Sequence, residues 1–340
     1  MAKRFGEIGR KVDDFIEKTT RADTQRWSGR VEEFIKNPER RKKMLGKLVQ
    51  TIESLISSRS REQGIECNMV SKKTHREAYG FDDYFFRPEK DRGEYFPIGV
   101  SVFPPETKFN PEEFDWQINA KDLSGLLNKE HPDVCHFVTN PTLTEDVNGT
   151  KILGFSENGI TTHSFVDKNP DSSLNDLESG GIVINDDDFE IVGFSELKNA
   201  AESAPRVEQT LFVCGRDNWQ EVAELPAYKD QPFEASFMGY FIDEHGEKRF
   251  FVAQTDFRAS FAGIKQCLAA IDRVAIENSF PGWKATCLDI GGSFAGIYDE
   301  NLPEPEREAG PNTRGRDFLM DTGHLQKTFF IFKWLKQKES

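Results

Sequence analysis

Nothing in the sequence marks it for crossing a membrane or for an oxidising compartment. No apolar run approaches the roughly 18 residues needed to cross a bilayer. The first twenty residues set Lys3, Arg4, Arg10 and Lys11 among acids, where a secretory leader would have a continuous apolar core. Cysteine is sparse: Cys67, Cys135, Cys214, Cys267 and Cys287 form an odd set without a C-x-x-C pair. That pattern excludes a disulfide scaffold and a zinc ribbon. The expectation is a cytoplasmic chain whose thiols behave as small buried hydrophobes. The phosphate-loop signatures G-x-x-x-x-G-K-[ST] and G-x-G-x-x-G are missing, and no histidines fall in an H-x-x-x-H or H-x-H arrangement. In the body beyond the first 66 residues, aromatic residues do not interleave with basic ones as they would on a nucleic-acid stacking platform.

What is present is a phenylalanine-rich chain of 340 residues with 29 Phe. Leu, Ile, Val and Phe together make up a quarter of it, enough for a globular core. The length fits two ordinary domains, or one large α+β domain with an appendage. A net charge of -14 hides an asymmetry, because residues Met1 to Arg76 carry +8 and the remainder carries -22. An acidic body repels polyphosphate, so nucleic acid or an anionic membrane would have to be met by the N-terminal segment.

Three amphipathic helices are predicted in residues 1–66. Phe5, Ile8, Val12, Phe15 and Ile16 mark the first, Trp27, Val31, Phe34 and Ile35 the second, and Met44, Leu45, Leu48, Val49, Ile52, Leu55 and Ile56 the third. Asn37-Pro38 reads as a cap and first turn for the third helix, and Gly64 as a stop. Arg40, Arg41, Lys42, Lys43 and Lys47 lie in the first turns of that helix, the end where the macrodipole disfavours cations. This cluster is a candidate surface for an anionic partner. The same stripes serve equally for packing, self-association or a lipid interface.

From Phe81 onward short apolar runs alternate with Pro, Gly, Asn and Asp, as in strands and turns. Tyr95 to Phe103 reads as a strand ended by Pro104-Pro105, after which a polar loop runs to a short helix over Ala120 to Asn128. Strands follow at Val134 to Thr139 and Lys151 to Phe155. Phe233 to Thr255 reads as a hairpin turning at Asp243-Glu244-His245-Gly246. A helix with the stripe Phe261, Ile264, Leu268, Ile271, Val274 and Ala275 comes next, and then a strand over Lys284 to Ile290. The fold class that results is α+β, a mixed β-sheet body with packed helices, preceded by the all-helical amphipathic segment. The division is 1–66 basic and helical, 67–298 an acidic α+β domain, 299–317 a mobile Pro/Gly loop, and 318–340 an apolar segment docking on the domain as a last strand or helix.

Two acidic patterns carry candidate chemistry. Asp171, with Asp187 or Asp188 as substitutes, and Glu196-Leu197-Lys198 have the residue types of a two-carboxylate nuclease: acids hold a divalent ion that activates water, and Lys198 stabilises charge on phosphate. In this reading a strand ends in Glu-Leu-Lys and a helix runs from about Leu197 to Ser203. Asp167, Asn169, Asp171, Ser173 and Glu178 supply oxygen ligands at the spacing of a calcium loop, although Ser172 stands where such a loop needs Gly and the flanks look like strands. The implied cofactor is a divalent cation, Mg or Ca. A thiol nucleophile at Cys287, with His324 and Asp321 downstream, depends on the fold bringing them together. The leading expectation is a non-catalytic interaction or assembly protein. Its residues 1–66 bind a protein partner or self-associate, and its acidic body recognises a partner. The alternatives are a metal-dependent phosphodiesterase and a peripheral membrane protein anchored by residues 1–63.

Overall fold

A computed structural model describes residues 69–89, 96–139, 154–165, 180–210, 212–224, 235–255, 263–290, 295–303, 307–310 and 325–336. All of these belong to one compact unit, Gln63–Ser340. The expected N-terminal helices lie outside the described residues.

The unit is rich in strands with a few helices, which agrees with the coarse α+β expectation, and every ladder between described strands is antiparallel. A seven-stranded sheet takes β1 (Met69–Arg76), β2 (Phe81–Pro88), β3 (Ile98–Val102), β13 (Lys248–Thr255), β12 (Ala235–Ile242), β14 (Gly282–Ile290) and β11 (Val213–Gly215), in that order. Its centre is the hairpin read from the sequence. Asp243 Oδ1 accepts from the backbone N–H groups of His245 and Glu247, and Gly246 takes the turn's left-handed φ of 82°. The chain then crosses over through α4 (Ile264–Glu277), so that β14 lands beside β12 and runs parallel to β13 across it.

The two faces of this sheet bury different side chains. On one face α4 and the short α3 (Trp219–Ala223) cover Tyr84, Phe86, Val100, Phe237, Phe241 and Phe251 with Ile264, Cys267, Leu268, Ile271 and Val274. On the other face lie two five-stranded sheets, edge to edge. One has the order β16 (Glu308–Ala309), β15 (Ala295–Tyr298), β5 (Val134–Thr139), β17 (Gln326–Leu335), β4 (Lys108–Ile118). The other runs β7 (Ile160–His163), β6 (Phe155–Glu157), β10 (Arg206–Thr210), β8 (Gly180–Asn185), β9 (Asp188–Gly193). Edge β4 meets edge β9 where the Phe109 N–H donates to the Asp187 carbonyl at 2.8 Å and the rings of Phe109 and Phe189 lie 4.6 Å apart. Phe81, Phe103, Phe250, Phe137, Phe332 and Trp334 fill the seam between the layers, with ring centroids such as Phe103–Phe137 at 4.7 Å and Phe103–Phe332 at 4.9 Å. Such tilted aromatic contacts add about 0.5–1.5 kcal/mol per pair beyond burial. Helix α1 (Ala120–Glu130), capped where Asn119 accepts from the Asp122 N–H at 2.7 Å, covers the outer side of β5 and β17.

Two sequence readings change, and a third, left open between strand and helix, is decided. The stretch after Pro104-Pro105 is not a loop but the eleven-residue strand β4. Glu196-Leu197-Lys198 does not end a strand: β9 stops at Gly193, and α2 (Phe194–Ala200) begins there so that Leu197 can bury against Val183 and Val207. The apolar run Thr328–Leu335 is strand, with Phe330, Phe332 and Trp334 in the seam and Phe329 and Ile331 under α1.

Candidate functional site

The four described members of the proposed nuclease set do not form one site. Asp187 and Asp188 sit in the β8–β9 turn, each beside a lysine from elsewhere: Lys108 donates to Asp187 at 2.6 Å and Lys248 to Asp188 at 2.7 Å. Lys248 also bonds Glu190 at 2.6 Å and the Phe189 carbonyl at 2.8 Å, with its ammonium 4.7 Å over the Tyr240 ring. Burial alone would raise the pKa of Glu190, but the bonds from Lys248 and from the Tyr240 hydroxyl, at 2.7 Å, outweigh it and hold the carboxyl below its usual range. These groups form a clamp between β9 and the seven-stranded sheet. Glu196 and Lys198 lie past the far end of β9, about 17 Å of strand away from Asp188. Both are exposed, and two positions apart on a helix they point to different sides, Lys198 packing 5.5 Å over its own Phe194.

Asp171, with Asp167, Asn169, Ser173 and Glu178 of the calcium pattern, lies outside the described residues, as do Arg40, Arg41, Lys42, Lys43 and Lys47. Among the described residues no three His, Cys, Asp or Glu side chains gather as metal ligands. Cys287 is fully buried on the β14 face that meets α4, while Asp321 and His324 fall outside the description. Burial pushes the Cys135 thiol up to about 12 and raises Cys214 and Cys267 as well, so these three are not poised as nucleophiles at neutral pH. His136 points away from Cys135. Burial, with help from His131, Lys333 and Lys336, lowers its pKa to about 4, and its Nδ1 has no hydrogen-bond partner.

The surface feature that stands out is on β4, an edge strand for most of its length. Its ladder with β17 pairs Glu113 with Thr328 and Ile118 with Gln326. Between those pairs β4 advances five residues and β17 two, so three residues of β4 are extra and the stretch Phe114–Gln117 bulges from the ladder. Trp116 is thereby lifted out until 53% of it is exposed, with its ring 5.4 Å from that of Phe114. Phe114 and Ile118 are half-buried against Leu123, Phe329 and Ile331, so the exposed indole continues the core under α1 to the surface. Leu325, 49% exposed, precedes the residue that pairs with Ile118. Glu113 and Asp115, both exposed, alternate with the two aromatics along the strand and form no ion pair among the described residues. Sequence reasoning missed this surface because Pro111 and the acids of Pro111-Glu-Glu-Phe-Asp115 disguise a strand. The spacing Phe114, Trp116, Ile118 was the signal available.

No protein family and no curated relative matches the chain. A solved structure of a hypothetical protein from Synechocystis aligns with 77% of this chain and 64% of its own, at 9% identity and a TM-score of 0.36. The chain thus spans less than two thirds of that protein's length, and the likeness is too low to carry an argument.

Proposed function

We propose that the chain is a non-catalytic interaction protein whose acidic body recognises a basic, amphipathic segment of a protein partner through the β4 bulge. The observation that supports this reading is Trp116, raised by three extra residues on an acid-flanked edge strand and continuous with the core beneath it. Tryptophan is the residue most often found at the energetic centre of protein interfaces. Covering the exposed half of a side chain of roughly 250 Å2, at ~25 cal/mol per Å2, is worth about 3 kcal/mol before ordering costs. Glu113 and Asp115 select a cationic rim. Residues 1–66 provide, in the same reading, the element for docking or oligomerisation, and the cytoplasm is where the chain acts. What supports the location is that no helix among the described residues is long and apolar enough to cross a membrane.

The test is fluorescence anisotropy of a labelled lysine–leucine amphipathic helix peptide titrated with the full chain. Saturable, salt-sensitive binding that weakens at least about 10-fold in Trp116→Ala, and not in the exposed control Ile160→Ala, is the expected result. Binding that ignores Trp116 would sink the proposal.

A further inference from the structure

Two features of this chain have complementary chemistry. On the body, Trp116 is 53% exposed beside the half-buried Phe114 and Ile118, and the exposed Glu113 and Asp115 form no ion pair among the described residues. A further strand is kept from adding there, because Pro111 has no N–H to give and the stretch Phe114–Gln117 has left the ladder. What can lie across the bulge is a helix with an apolar stripe to cover the indole and cations along the borders of that stripe. The sequence itself contains such a segment, residues 38–56, outside the described residues. At about 100° per residue its apolar positions from Met44 to Ile56 fall within one arc, with Arg40 and Lys47 at one border and Lys42 at the other.

Charge decides how two copies can meet. Each body carries -22 beyond Arg76, so body against body is repulsive. Residues 38–56 set Arg40, Arg41, Lys42, Lys43 and Lys47 against only Glu39 and Glu53, so this segment is attracted to an acidic face. Resting on the recognition role proposed above for the β4 face, we infer that its partner is a second copy of this chain: residues 38–56 of one protomer lie across Phe114–Ile118 of the other, and the exchange is reciprocal. Trp116 anchors the stripe, and Glu113 and Asp115 meet the cations at its borders. Reciprocity closes the pair as a dimer, where a one-way contact would leave one face and one segment free to add further copies.

The experiment is the light-scattering mass of the full chain at low salt beside two charge-reversed variants, Glu113→Lys with Asp115→Lys, and Arg40→Glu with Lys42→Glu and Lys47→Glu. The expected result is a mass of two chains for the unaltered protein and of one chain for each variant alone. Mixing the variants restores the two-chain mass, because each segment then meets a face of opposite charge, and that restoration shows that both variants fold. Trp116→Ala should weaken dimerisation at least about 10-fold. A two-chain mass that survives both reversals overturns the inference, and so do variants that stay apart on mixing. A monomeric unaltered chain overturns it as well; if that monomer still binds the labelled peptide through Trp116, the recognition role of the β4 face stands without self-association, whereas peptide binding that ignores Trp116 removes both.

Discussion

Two kinds of strand make up this body, and they differ in what their side chains meet. The central strands β3, β13, β5 and β17 face one another across a seam of phenyl rings, each ring touching several others at 4.7–6.2 Å. Among the described residues β1 and, beyond its contact with β9, β4 are edge strands, and an edge must discourage other chains from adding to it. They do so differently. On β1, Lys72, Lys73 and Arg76 place cations along the strand. On β4, Pro111 removes a donor and the bulge at Phe114–Gln117 breaks the ladder. The centre is built for cohesion, while on β4 the edge keeps an exposed indole and two acids without an ion pair among the described residues, which is where recognition becomes available.

That contrast can be broken by substitution. The largest loss should come from the seam: Phe332 is fully buried with rings on three other elements, and Phe332→Ala should cost about 3–5 kcal/mol in urea unfolding. A loss below 1 kcal/mol would mean that the seam is not the cohesive part. Next comes His136, held neutral with a pKa of about 4 against an ordinary 6.5. Between those values the unfolded chain binds a proton that the folded chain refuses, so stability falls as the pH falls through that window. The slope due to this group reaches at most about 1.4 kcal/mol per pH unit. His136→Gln should flatten that part of the profile, and identical slopes for the two proteins would refute the buried neutral imidazole. The smallest effect belongs to the edge, where Trp116→Ala should move stability by no more than about 0.5 kcal/mol while weakening peptide binding. If it destabilises as much as a seam residue, the bulge is core and not recognition surface.

The hairpin β12–β13 and helix α4 were legible because alternation, an Asx turn with glycine and a 3.6-residue stripe all agreed. Strand β17 was legible only as buried: a run that is apolar on both sides has no period, so Thr328–Leu335 left strand and helix open until both of its faces were seen covered. The acids of the β8–β9 turn were visible, but their lysines were not. Lys108 and Lys248 are 79 and 60 positions away in the chain, and only the meeting of β4 and β13 with β9 brings them in. Spacing along one strand could not reveal that Asp187 and Asp188 are matched by cations. Nor could it show that Glu196 stands a strand's length from them.

The position of β17 has a consequence for how the protein is made. Its place in the sheet is between β5 and β4, both encoded far upstream. A ribosome releases those two strands long before Gln326–Leu335 exists, so the nascent chain carries a vacant slot bordered by Phe109, Phe137 and the apolar side of α1. Until then the layer cannot close, and β5 and β4 join one sheet only when Gln326–Leu335 arrives between them.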